Sequence, residues 1–186
     1  MSAIPAFETP RLALRGVTLA DAPAYKKHFV DYDIISQMST VVPWPYPEDG
    51  VARFIEDIVI PHQGKDQWFW GIFLKTNPEE LIGSVTLRRK GTPGNRGFWL
   101  GKAYWGRGIM SEAVVPVMDY AFGELGFEKL LFANALENIR SSRVKQNHGA
   151  ISIRHEPAEY VHPEYKTREV WELSREGWLV FKSLGK

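Results

Sequence analysis

The chain predicts a mixed α/β fold, a mostly antiparallel sheet flanked by helices, in one domain over residues 1–186. Three observations carry this. The β-rich runs Trp68–Leu74, Leu81–Leu87 and Gly97–Leu100 follow one another across short turns, as an antiparallel meander does. Two apolar faces recur at helical spacing, one through Val51, Phe54, Ile55, Ile58 and Val59, the other through Val114, Val117, Met118, Ala121, Phe122 and Leu125. The second face is followed by a further β-like run, so strand and helix alternate beyond the meander.

The elements follow in order. Arg11–Val17 alternates apolar and polar residues, the signature of a half-buried strand. Thr18 is a helix cap, with Asp21 in the first turn and Tyr25 and Phe29 on one face. Val41–Pro47 holds three prolines and two aromatics and predicts a stiff apolar loop, Pro47 being suited to start the second helix. Asn77 and Pro78 predict the turn between the first two meander strands, and Thr92–Asn95 the next turn. Pro116 sits inside the long helix and predicts a bend in its first turns. Lys129–Leu136 reads as a strand and Asn138 as the cap of another helix. His155–His162 reads as a surface loop: Pro157 breaks the helix that a zinc H-E-x-x-H site needs, and the histidine spacing is wrong for one. Glu169–Arg175 is the last strand, able to pair with a second copy of the chain in a homodimer, and a short tail around Trp178 follows.

Composition narrows the function. The 186 residues are 44% hydrophobic, enough for a real core, and the net charge of +1 gives no general attraction to nucleic acid or anionic membrane. There is no cysteine, so no disulfide, thiolate nucleophile or thiol zinc site is available; this fits a reducing, cytoplasmic setting. No apolar run approaches the ~18 residues of a membrane span. No metal site is expected.

One stretch carries chemistry. Gly106, Arg107 and Gly108 stand directly before the long amphipathic helix, so the backbone N–H groups from Gly106 to Ser111 (through Ile109 and Met110) converge where a phosphate would bind. The NTPase loop G-x-x-x-x-G-K-[ST] is absent. The dinucleotide fingerprint would place its third glycine at Ser111, which weakens a dinucleotide-dependent oxidoreductase reading.

Taken with "NIRSSRV" (Asn138–Val144), "WGRGIMSEA" (Trp105–Ala113) resembles the GNAT superfamily of acyl-CoA-dependent N-acyltransferases. Within it the chain is similar to the RimJ/RimL-like, ribosomal-protein N-acetyltransferase branch, through "ETPRLALRGVTLADA", the Pro-Trp-Pro loop, "LIGSVTL" and "FWL". The resemblance covers roughly residues 8–149. It implies a GNAT-like sheet with a splayed strand that takes acyl-CoA. The family's R/Q-x-x-G-x-G/A loop falls on Trp105, Gly108 and Met110. The backbone of Gly106–Ser111 would cradle the coenzyme A pyrophosphate. The strand ending in Trp99 and Leu100 would bind pantetheine along its main chain. Asn138 would hold pantetheine from the other side, and Ser141 would protonate the departing thiolate.

The chain departs from the family at four places. The Tyr found seven residues after the Asn in many members is Lys145. A Glu before the "G-Y-W-L" of the branch is Asn95. The ending "K-x-G-F" appears as Asn147, Gly149 and Ala150, leaving Arg143 or Lys145 to meet the coenzyme's 3′-phosphate. Glu137, beside the cap, is the candidate base. A free α-amine has a pKa of ~8 against ~10.4 for lysine, so freeing its lone pair at neutral pH costs about 1 kcal/mol rather than about 4–5. A site without a strong base therefore favours an α-amine. The sequence leads to an acetyl-CoA-dependent N-acetyltransferase acting on a protein N-terminus or small amine. Its alternative is a non-catalytic coenzyme A-binding or protein-interaction module on the same fold.

Overall fold

The computed structural model describes residues 4–90 and 94–185. Strands β1 (Phe7–Glu8), β2 (Leu12–Gly16), β3 (Gln67–Leu74), β4 (Asn77–Arg88) and β5 (Arg96–Leu100) form one antiparallel sheet in that order. Strands β6 (Lys129–Ala135), β7 (Ile151–Pro157) and β8 (Thr167–Ser174) form a second antiparallel sheet in the order β6-β8-β7. The helices are α1 (Ala22–Phe29), α2 (Tyr32–Ile35), α3 (Gly50–Phe54), α4 (Ile60–His62), α5 (Ile109–Phe122), α6 (Ile139–Gln146) and α7 (Arg175–Ser183), with a π-helical stretch at Ile55–Val59 joining α3 to α4. Among the described residues no helix is long and apolar enough to cross a membrane.

Local chemistry explains the starts. The Thr18–Asp21 capping box opens the turn into α1, and Asp21 also takes Arg15 in a two-point ion pair at 2.8 and 2.9 Å. Asn138 caps α6 by accepting from the Ser141 N–H at 3.1 Å. Ser174 caps α7 by accepting from the Gly177 N–H at 3.0 Å.

Several expectations are corrected. The turn after β3 is at Lys75–Thr76; Asn77 and Pro78 are the start of β4, where Leu74 pairs with Asn77. Thr92 and Pro93 of the second expected turn lie outside the described residues. The π-helical stretch shifts the expected apolar face: Val51, Ile55 and Val59 are buried while Ile58 is exposed. Leu125 falls beyond the end of α5. The residues read as a loop from His155 begin as the end of β7, and the tail around Trp178 is the nine-residue helix α7. The last strand, β8, is central and flanked on both sides, so the edge open to a second copy is β7.

Two cores sit on opposite faces of the larger sheet. One joins Leu12, Leu14, Trp70 and Val85 to Met110, Val114, Val117 and Met118 of α5, and continues into Phe132, Leu173 and Trp178. The other joins Phe69, Phe73 and Trp99 to Tyr25, Phe29, Ile35, Val51 and Ile55.

Among the described residues, Asn95 joins the main chains of the two sheets. The Asn95 N–H donates to the Leu131 carbonyl at 2.7 Å, its Oδ1 accepts from the Leu131 N–H at 3.0 Å, and its Nδ2 donates to the Arg88 carbonyl at 3.2 Å. Beyond this clamp no ladder joins β5 to β6 among the described residues, and the strands splay apart toward Leu100 and Ala135.

Candidate active site

The register of β4 against β5 decides which main-chain groups face the splay. The Gly101 N–H donates to the Ile82 carbonyl at 2.8 Å, which makes that pair a bonded one. Bonded pairs alternate along an antiparallel ladder, so Trp99 and Gly97 spend their main-chain groups on β4. Those of Phe98 and Leu100 face away from β4, into the opening. The Leu100 carbonyl is taken by the Trp105 Nε1–H at 2.8 Å. The Trp99 side chain turns to the opposite face, where its Nε1–H donates to the Tyr25 hydroxyl at 3.2 Å.

The loop after β5 ends at the N-terminus of α5. Gly106 and Gly108 have φ of +72° and +70°, in the left-handed region that favours glycine. A Cβ at Gly106 would meet nothing within 4 Å, so conformation, not crowding, selects glycine there. Among the described residues, none of the backbone N–H groups from Gly106 to Ser111 has an acceptor in the protein. Ile109 and Met110 bury their side chains in the core and offer only their N–H groups. The 14-residue α5 adds its dipole to the same spot.

Arg11 fixes this loop, a role the sequence reading missed. Its Nη1 donates to the Arg107 carbonyl at 2.8 Å and its Nε to Glu112 Oε2 at 2.6 Å, while its backbone N–H reaches Glu112 Oε1 at 2.8 Å. Thr9 Oγ1 adds a fourth bond, to Glu112 Oε1 at 2.5 Å. Burial raises the Glu112 pKa, but these donors outweigh it and hold the carboxyl below its ordinary range. Across the opening, the Arg140 guanidinium lies 3.9 Å from the Trp105 ring centroid, which connects α6 to the loop.

Helix α6 begins beyond the open end of β6. Ser141 is buried in its first turn and Lys145, one turn later, is buried completely. Lys145 Nζ donates to Ser141 Oγ at 2.6 Å and to Asn134 Oδ1 of β6 at 2.8 Å, and lies 5.2 Å from the Phe98 ring of β5. It therefore sits in the wedge between the splayed strands. Burial, and then the Arg96 charge, push the Lys145 pKa well below the ordinary lysine value, with Glu169 pulling weakly the other way. Arg96 is also buried; its Nε and Nη2 have no partner, and its guanidinium stacks 3.9 Å from the Phe132 centroid. Burial draws its pKa down from 12.5 to about 9. Neither Lys145 nor Arg96 announces itself in the sequence as an inward-facing cation.

His148 holds the end of α6 to the start of α5. Its Nδ1 lies 2.6 Å from the Val144 carbonyl and its Nε2 2.9 Å from the Ser111 carbonyl. Two carbonyls suit a doubly protonated ring, but desolvation dominates and lowers the His148 pKa, with Arg96 adding to the effect. A neutral ring donates to one of the two.

The remaining expected residues lie at the rim. Glu137 is exposed in the turn leading into α6. Arg143 is exposed and lines a surface depression with Ile139, Gln146, Ile151, Glu169 and Trp171. Lys145 points inward, which removes it as a surface cation for a 3′-phosphate. Asn95 serves the clamp. Among the described residues no cluster of three or more His, Asp or Glu is placed to hold a metal ion.

Known proteins share this fold. Residues 11–151 match the family model described as acetyltransferase (GNAT) domain. The chain is similar to "Probable N-acetyltransferase YjcK" of Bacillus subtilis (strain 168), at 32% identity over 108 residues; the match spans 56% of this chain and 59% of the length of that relative. Among solved structures, it is similar to the ribosomal-protein-S5-alanine acetyltransferase from Vibrio fischeri, with a TM-score of 0.78 and 18% identity over 94% of this chain and 99% of that one. It is also similar to the spermidine N-acetyltransferase from Vibrio cholerae in complex with CoA and spermine, with a TM-score of 0.75 and 16% identity over 92% and 99%. At these identities the two structures speak for the fold.

Proposed function

The chain belongs to the GNAT acetyltransferases, and from that premise we propose that it moves an acetyl group from acetyl-CoA to a primary amine by direct attack in a ternary complex. The observation that carries this reading is the row of N–H groups from Gly106 to Ser111 without protein acceptors, opening at the end of a splayed strand. Two phosphates of a pyrophosphate fit such a row. Pantetheine has two amides and is extended, so the open edge, formed by the Phe98 main chain and the Leu100 N–H, suits it as one more strand would. Trp105 and Arg107 border that path, Arg143 is left to meet a more distant phosphate from the outer face of α6, and among the described residues the Nδ2 of Asn138 has no acceptor because capping uses only its Oδ1.

Ser141 gives its proton to the departing thiolate. Glu137, exposed at the rim, is the carboxylate assigned to take up the proton of the amine. With a base so solvated, an acceptor whose amine is already partly neutral at pH 7 reacts best, which favours a protein N-terminal α-amine over a lysine-like amine. The Vibrio relatives act, by their names, on the alanine of ribosomal protein S5 and on spermidine, and both kinds of amine belong in a screen.

Thermal melts with acetyl-CoA, coenzyme A, ATP and NADH in parallel test the cofactor. A ligand at 100-fold its Kd adds about 2.7 kcal/mol, or roughly 5–11 °C for a domain of this size. A rise with the two coenzyme A species alone, lost in Gly108→Glu, supports the reading. Thiol release with an alanine-starting peptide, a serine-starting peptide and spermidine then tests transfer. Absence of any shift with coenzyme A refutes the cofactor. Binding without turnover of any amine leaves the non-catalytic module.

A further inference from the structure

Four observations converge on the residue that replaces the family's tyrosine. Lys145 Nζ lies inside the wedge, between Phe98 of β5 and Asn134 of β6. It touches Ser141 Oγ at 2.6 Å, one helical turn back on the same face of α6. Its second partner, Asn134 Oδ1, is an acceptor only, so Lys145 is held there as a donor. Asn134 is itself fixed by its Nδ2, which donates to the Ala135 carbonyl at 2.8 Å and to Ser142 Oγ at 3.0 Å, and Ser142 Oγ donates to Glu169 Oε2 at 2.9 Å. A lysine with no carboxylate in contact is an expensive thing to bury, and a chain that needed only packing here would use an apolar residue.

We propose that Lys145 is a positioning residue acting through Ser141: it donates to the serine oxygen, aims the hydroxyl hydrogen at the thioester sulfur, and replaces the proton that the serine gives up. This rests on the acetyltransfer reading of the preceding subsection. In the step, the amine nitrogen bonds to the thioester carbon and the C–S bond breaks. The Ser141 hydroxyl proton goes to the sulfur. A proton moves from the Lys145 ammonium to Ser141 Oγ, leaving lysine neutral. The proton lost by the amine is taken up by Glu137 and released to solvent, from which the lysine recovers its own. No oxidant or metal is required.

The charged surroundings suit a donor that must let go. Arg96 faces Lys145 from β5 and disfavours its positive form, with burial in the same direction; Glu169 on β8 favours it; His148, on the turn after α6, faces Arg96 and is held neutral. The ammonium is thus a better acid than an ordinary lysine, with burial the larger cause.

The test needs no acceptor at first. Coenzyme A alone is bound to the wild type, Lys145→Met, Ser141→Ala and the double variant, and the ionisation of its thiol is followed by thiolate ultraviolet absorbance. Calorimetry confirms that each complex forms. In the wild type the bound thiol should ionise at a lower pH than that of free coenzyme A; in each variant the midpoint should rise by about one pH unit, and the double variant should match the singles, as a relay acting as one unit does. With acetyl-CoA and an alanine-starting peptide, Lys145→Met and Lys145→Arg should both lose about 10²-fold or more in kcat with little change in KM, the scale of general acid catalysis. Arginine keeps the charge but cannot release the proton. Wild-type turnover in Lys145→Arg, or an unchanged thiol midpoint in Lys145→Met, overturns the relay. Loss of coenzyme A binding in Lys145→Met also overturns it and makes the lysine a cofactor contact. Failure of the wild type to bind coenzyme A instead removes the acetyltransfer reading, and the relay with it.

Discussion

Replacing Arg96 by methionine should make the protein more stable. The guanidinium is buried; among the described residues its Nε and Nη2 have no partner and its Nη1 reaches only the Met118 sulfur at 3.4 Å. Burial draws its pKa down to about 9, and at ~1.4 kcal/mol per pH unit that descent corresponds to several kcal/mol of lost solvation. Stacking on Phe132 at 3.9 Å returns about 2 kcal/mol. Methionine keeps most of the apolar stem, fills irregular space and contacts the same ring. The balance, about 1–4 kcal/mol in favour of the variant, agrees with what replacing buried charges by apolar groups gives. The folded-state pKa is depressed, so the penalty is complete below about pH 9 and fades as pH rises from there toward the ordinary arginine range. Urea unfolding at pH 7 measures it, with the m-value as a control on the unfolded state. Thermal melts should move up by roughly 2–4 °C per kcal/mol. A variant equal to or less stable than the wild type at pH 7 would show that the cation has a partner the geometry does not reveal, and the argument would fall.

Other consequences are as direct. Asn95→Ala leaves the Leu131 N–H without its side-chain acceptor and should cost about 1–3 kcal/mol in urea unfolding; Asn95→Asp, which keeps the acceptor, should cost less. Burial depresses the His148 pKa, so the unfolded chain takes up a proton near pH 6.5 where the folded one does not. Stability should be full above that pH and fall as pH drops below it, and His148→Gln should flatten the slope in denaturation curves at pH 5.5–7.5. Arg11→Ala removes two donors, one to the Arg107 carbonyl of the loop and one to Glu112, and keeps the backbone N–H bond to Glu112. Its charge is half exposed, so the stability loss should stay near 1 kcal/mol, while the calorimetric Kd for coenzyme A should weaken several-fold.

What the sequence made readable was written in residues that obey local rules. The α5 stripe, the Thr18–Asp21 box and the Asn138 cap each act within a few positions, and each is found where its spacing puts it. Strand β7 is exposed on both faces, so no buried face imprints an alternation on it, and only pairing with β8 makes it a strand. Helix α7 buries Trp178 and Phe181 but leaves Leu179 and Val180 exposed, which blurs its stripe; its cap, Ser174 three residues before Gly177, was the available signal. The inward lysine was illegible for a different reason. In "IRSSRVKQ", Lys145 and Arg143 are the same kind of residue two positions apart, yet one is in the wedge and the other in solvent. Helical rotation alone separates them, and which side faces the wedge depends on where β5 stops.

The splay also bears on how the molecule lives among its neighbours. Two open sheets present four borders with unsatisfied backbone groups, each an invitation to a foreign strand. At one outer border β1 is only two residues long, and at the other β7 carries Arg154, His155 and Glu156, charges that discourage a hydrophobic visitor. The remaining borders, β5 and β6, confront each other across a gap pinned at Asn95 and spanned by Arg140 over Trp105. Facing each other in this way, neither border is presented outward as a free edge. The same divergence that leaves backbone groups free thus shields them from aggregation.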